Sequence, residues 1–156
     1  MECLRSLKNN CIAIIITSDK SYKNLEINRG YKEDDLLGGI DPYSSSKASA
    51  ELIIQTYFNS FLKRKKNIKI GVARAGNVVG GGDWSEDRLI PDCMKSWSKN
   101  KKAIIRSPNS TRPWQHVLDA LYGYITLSQK LKKNSKLNGS VFNFGPSLNN
   151  NFKVLD

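Results

Sequence analysis

Tyr43 and Lys47 are four residues apart in the run Tyr43-Ser44-Ser45-Ser46-Lys47, a spacing that puts both on one face of a helix about one turn from each other. A tyrosine is a poor base at neutral pH, but an ammonium one turn away favours the phenolate. Such a pair can take a hydroxyl proton while hydride leaves the same carbon. Alone, the pair would read as a common surface contact. Its surroundings add weight, because Ser18 follows an apolar run upstream, where its hydroxyl could reach the same substrate oxygen as Tyr43. Asp19 and Lys20 then place an acid and a base directly after that hydroxyl.

Further along, Arg106 and the run Thr111-Arg112-Pro113-Trp114-Gln115-His116-Val117 supply cations beside an aromatic ring. A guanidinium is a planar fork that can hold a diphosphate bidentately. His116 is the only histidine, which excludes a multi-histidine metal site, and no G-x-S-x-G elbow accompanies it, so it reads as structural. No metal is expected. Gly80, Gly81 and Gly82 fit neither a Walker loop nor a dinucleotide fingerprint, since no Lys-Ser/Thr pair follows and no G-x-G-x-x-G occurs.

These residues need elements to position them. Cys11 to Thr17 is a continuous, isoleucine-rich run of the kind expected for a strand buried on both faces of a parallel sheet. Residues 21–41 are polar and without period, which predicts a long loop. Pro42 opens a helix with apolar positions at Ala48, Ala50, Leu52, Ile53, Tyr57, Phe58 and Phe61. A strand at 68–74, a glycine-rich loop at 75–87 and a helix at 91–98 follow. Then come a short strand at 103–106, a helix around 117–131 and a strand at 140–144. Strands alternating with helices predict an α/β fold with a mostly parallel sheet, and chemistry in such sheets collects beyond the carboxyl ends of the strands. Ser18, Asp19, Lys20, Ala75, Gly76 and Asn77 are all expected on that edge.

The set Ser18, Tyr43 and Lys47 resembles the Ser/Thr-Tyr-Lys set of short-chain dehydrogenases/reductases. Within that group, Ser18-Asp19-Lys20 is similar to the Thr-Asp-Glu of sugar-nucleotide 4,6-dehydratases, and a lysine in third place resembles their CDP-glucose branch. The stretches Ala73 to Trp84 and Asp87 to Asp92 resemble that branch as well. The resemblance implies a Rossmann-like parallel sheet in residues 1–80, and in 81–156 part of a small C-terminal substrate-binding domain interleaved with late strands. It implies NAD as cofactor, with Thr17, Tyr43, Lys47 and Ala75 contacting it and CDP-glucose as substrate. It gives Asn77, Arg88, Leu89, Arg106 and Arg112 to the nucleotide-sugar, with Asn77 near the pyrophosphate and Arg112 on a phosphate. Tyr43 and Lys47 would serve the redox steps, Ser18 would orient the C4 oxygen, and Asp19 with Lys20 would eliminate water. The product would be CDP-4-dehydro-6-deoxyglucose, used for deoxysugars of surface polysaccharides. A complete member also carries an N-terminal βαβ unit with the cofactor fingerprint, so this chain reads as an internal fragment, inactive alone and homo-oligomeric when complete. Other readings are a UDP-sugar epimerase, a dTDP- or GDP-sugar dehydratase, or a non-catalytic anion-binding remnant.

Composition bounds these readings. The net charge of +11 sits in lysine-rich stretches such as 63–66, 99–102 and 130–136. They flank predicted helices without interleaved aromatics or a nucleic-acid-binding motif, so a solvated basic surface and an anion-binding cleft are expected rather than a nucleic-acid partner. Cys3, Cys11 and Cys93 form no C-x-x-C pair, which signals neither a disulfide framework nor a thiolate metal site and fits a reduced cytoplasm. The longest apolar run, Cys11 to Ile16, is far too short to span a bilayer.

Overall fold

The computed structural model describes residues 1–147 and 152–155. Side chains alternate along a strand, and in β2 (Ile68–Ala75) the two sets meet different helices. Ile68, Ile70 and Val72 pack with Ile54 and Leu62, which belong to α2 (Pro42–Tyr57) and to the π-helical turn Phe58–Leu62 that continues it. On the other face Gly71 lets α4 (Val117–Lys133) come close: a Cβ there would lie 2.9 Å from the Leu131 side chain and 3.2 Å from that of Leu127. Helices therefore cover both faces of the strand, which explains its near-complete burial.

β1 (Cys11–Ser18) and β6 (Val141–Phe144) flank β2 in a three-stranded parallel sheet. The register runs from Cys11 opposite Ile68 to Ser18 opposite Ala75, and Ala75 is also opposite Phe144. All three strands thus end along one line, and the parallel α/β architecture is the expected one.

Several local expectations are corrected. β1 is an edge strand of this sheet and only half-buried, with Ile16 54% exposed where burial on both faces is expected. On α2 the buried positions are Ser44, Ala48, Glu51 and Ile54, whereas Leu52 and Ile53 point outward. The inward stripe follows the helical period, and a carboxylate occupies one of its places. Residues 103–106 form no strand, since no backbone partner lies beside them among the described residues. The glycine-rich loop holds β3 (Val78–Val79), parallel to β5 (Gln115–His116), and β4 (Thr111–Arg112) pairs antiparallel with β7 (Phe152–Lys153). Two-residue ladders carry no readable period. Helix α1 (Glu2–Ser6) was not expected, and α3 spans Leu89–Trp97. Of the expected 81–156 region, residues 148–151 and 156 lie outside the described residues. Among the described residues no helix is long and apolar enough to cross a membrane.

Candidate active site

The carboxyl ends of the strands carry the reactive side chains. β1 runs straight into a single 3₁₀ turn, Asp19–Ser21, capped by Ser18, whose Oγ accepts from the Lys20 amide at 3.2 Å. The same hydroxyl donates to Asp19 Oδ1 at 3.0 Å. A hydroxyl has one proton and two lone pairs, so Ser18 keeps one acceptor site open and must turn its proton away from Asp19 to donate to a ligand. Asp19 is half-buried and Lys20 exposed. A Cβ on Gly76 would lie 2.8 Å from the Pro113 ring and 3.4 Å from Asp19 Oδ2, so this glycine lets the 111–116 segment close against the acid.

Helix α2 starts beside that turn. Asp41 caps it, accepting from the Ser44 amide at 3.0 Å and the Ser44 hydroxyl at 2.6 Å. Those bonds, hydroxyl first, hold the Asp41 carboxyl below the usual carboxylate range, and the positive charge of Lys20 adds to the effect. Tyr43 falls in the first turn and is 55% exposed, with the Lys47 ammonium 5.5 Å from its ring centroid. The expected same-face arrangement of the two is present, on a helix packed against the Ser18-Asp19-Lys20 turn.

The residues assigned to a nucleotide-sugar form two groups. The Asn77 carbonyl accepts from the Gln115 amide at 3.0 Å, which ties the strand end to the 111–116 segment. Arg112 on that segment is half-buried and donates to the adjacent Thr111 carbonyl at 3.0 Å. Separately, Arg106 pairs with Asp87 at 3.0 Å, both well exposed, which brings it beside Arg88 and the half-buried Leu89 at the start of α3. His116 accepts from the Leu118 amide at 3.2 Å and so caps α4.

Of the residues given to the cofactor, Tyr43 and Lys47 present an exposed phenol and an ammonium near the strand ends, and Ala75 ends β2 opposite Ser18. This donor set fits the nicotinamide and ribose end of NAD. Thr17 turns its hydroxyl elsewhere, donating to Glu51 Oε1 at 2.6 Å.

That bond leads to a buried network that the sequence did not reveal. Glu51 and Arg74 pair at 2.6 Å, each side chain 1% exposed. Burial works against the Arg74 charge, but its bonds to Glu51 and Tyr22 outweigh it and hold the guanidinium above its ordinary value. Burial pushes the Tyr22 phenol up, against the pull of Arg74. Tyr22 donates to Asn143 Oδ1 at 2.7 Å and stacks on Tyr31 with centroids 5.0 Å apart, anchoring the 21–41 loop to β6. One signal was present: past Lys69 near its start, the strand is apolar except for Arg74, and a charge enclosed there needs a partner.

Known proteins resemble this chain in sequence and in fold. The chain is 45% identical over 150 residues to the CDP-glucose 4,6-dehydratase of Salmonella typhimurium, a match covering 94% of this chain and 42% of that protein. It is 25% identical to the human dTDP-D-glucose 4,6-dehydratase, over 85% of this chain and 35% of the relative. The chain thus spans less than half the length of these curated relatives. Among solved structures, the UDP-glucuronic acid 4-epimerase of Bacillus cereus superposes with a TM-score of 0.80 at 24% identity, covering 99% of this chain and 45% of that one. The NAD complex of dTDP-glucose 4,6-dehydratase from Bacillus anthracis superposes with a TM-score of 0.71 at 25% identity, covering 91% and 42%. The sequence profile of the NAD dependent epimerase/dehydratase family matches residues 5–145, nearly the whole chain, and the chain belongs to that family.

Proposed function

We propose that the complete protein is a nucleotide-sugar 4,6-dehydratase that converts CDP-glucose to CDP-4-dehydro-6-deoxyglucose and water. The observation that carries this reading is the placement of Asp19 and Lys20 in one turn between Ser18 and the helix bearing Tyr43 and Lys47. Oxidation alone needs only the Ser-Tyr-Lys set, whereas removing water needs a second acid and base beside it. The identity with the Salmonella dehydratase supports the same reading.

Tyr43 and Lys47 would hold the nicotinamide end of NAD, which would supply the oxidant for C4 and the reductant for C6. Tyr43, aided by the Lys47 ammonium, takes the C4 hydroxyl proton, and Ser18 orients that oxygen. The resulting carbonyl makes the C5 hydrogen acidic. Lys20 takes that proton, Asp19 protonates the C6 hydroxyl as it leaves as water, and a proton returns to C5 when C6 is reduced. Arg112 and Asn77 hold the diphosphate, while Arg88, Leu89 and Arg106 contact the nucleotide. Residues 1–80 supply the catalytic end and 81–156 the nucleotide-sugar region. Acting on a soluble nucleotide-sugar, the protein works in the cytoplasm on a deoxysugar route to surface polysaccharide, and the exposed apolar residues Leu121, Tyr122 and Ile125 on α4 support a homo-oligomer.

Lys20→Met in the complete protein tests this. Mixed with CDP-glucose, the variant should still produce reduced-nicotinamide absorbance, but the signal should persist and no water should be lost. Normal product formation by this variant would remove Lys20 from the reaction and the main support for the reading.

A further inference from the structure

Two enclosed charges, Glu51 on α2 and Arg74 on β2, have no part in the reaction as proposed. They meet fork to fork, Nε on Oε1 at 2.7 Å and Nη2 on Oε2 at 2.6 Å. The other face of Oε1 accepts from the Thr17 hydroxyl at 2.6 Å and the Ser21 hydroxyl at 3.3 Å. Thr17 and Ser21 are the residues immediately before and after Ser18-Asp19-Lys20, and Ser21 shares its one hydroxyl proton between Glu51 and the nearer Ser18 carbonyl at 2.8 Å. On the helix side, Glu51 sits one turn past Lys47 and two past Tyr43 within a single unbroken helix. Arg74 immediately precedes Ala75, the register partner of Ser18. One carboxylate therefore ties both flanks of the turn to the helix that carries Tyr43, Lys47 and Glu51 itself.

A buried ion pair is a weak source of stability, because apolar residues of similar volume often do as well. Its directional bonds do more to fix geometry. We infer that the Glu51–Arg74 pair is a positioning device that locks the turn bearing Ser18, Asp19 and Lys20 in register with the helix bearing Tyr43 and Lys47. The consequence for catalysis rests on the dehydratase reading, whereas the coupling of turn to helix rests on geometry alone.

The double variant Glu51→Leu/Arg74→Met in the complete protein replaces the pair with apolar residues. It should melt close to the parent, yet its kcat should fall by about 100-fold, as a misplacement near 1 Å can cause. KM should stay within about threefold of the parent, because the contacts to the diphosphate and the nucleotide lie elsewhere. Amide exchange at residues 18–22 should accelerate. A folded double variant with parental kcat and parental exchange overturns the inference. If the double variant fails to fold, Thr17→Val and Thr17→Ser decide: the valine should lower kcat and the serine restore it, with equal NAD affinity in both. Parental kcat in Thr17→Val, or a loss of NAD affinity instead, overturns it. A parent protein inactive on CDP-glucose would refute the dehydratase reading alone, leaving exchange at residues 18–22 to judge the coupling.

Discussion

The Lys47 ammonium lies 5.5 Å from the centroid of the Tyr43 ring, one helical turn along α2, while more than half of the tyrosine remains open to solvent. A phenol placed this way can meet a sugar hydroxyl without leaving its cation. Tyr43→Phe keeps the ring and removes the oxygen, so turnover in the complete protein should fall by at least about 100-fold, with ligand affinities nearly unchanged. Steady-state rates and calorimetry with each ligand check this, and activity near the parent's would remove Tyr43 from the chemistry.

Arg112→Ala should weaken CDP-glucose binding by about 2 to 5 kcal/mol, the usual loss when a charged contact is truncated, and leave NAD binding unaffected. Titration calorimetry separates the two. Equal losses for both ligands would make Arg112 structural, in keeping with its short β4–β7 ladder.

Removing one partner of a buried ion pair strands the other charge. Glu51→Ala should therefore lower stability by about 3 to 5 kcal/mol, measured by denaturant unfolding, far more than any exposed ion pair here should yield. The exposed pair Arg106–Asp87 is the internal control, since Arg106→Ala should change stability by less than about 1 kcal/mol.

The 21–41 loop has its own pH dependence. The Arg29 guanidinium, at 2.7 Å, and then the Lys32 amide hold the Asp35 carboxyl at about 2, down from 3.8. Because the folded value is depressed, the stabilisation is complete above about pH 4 and is lost as pH falls through about 2. Thermal midpoints of the parent and Asp35→Asn should differ at neutral pH and converge near pH 2. A gap that stays constant with pH would contradict the assignment.

Much of the candidate site was legible in the sequence because it lies in long periodic elements. Cys11 to Thr17 reads as a strand from its isoleucines, α2 from Pro42 and its apolar spacing, and their junction with β2 follows from parallel α/β logic. Glu51 was not legible, because a glutamate on a helix normally faces water and only the fold shows Arg74 waiting inside. Nor could the Gly76–Pro113 contact be read, since it joins a strand end to a loop 37 residues on. The 103–106 strand failed for the opposite reason: a short apolar run has no meaning without a neighbouring backbone to pair with.

The most direct test is to incubate the complete protein with CDP-glucose in heavy water and weigh the product by mass spectrometry. The expected product is a sugar nucleotide one water lighter than the substrate, oxidised at C4, with a single solvent deuterium at C5 and none at C6. A product of unchanged mass inverted at C4, or no reaction of CDP-glucose at all, would contradict it.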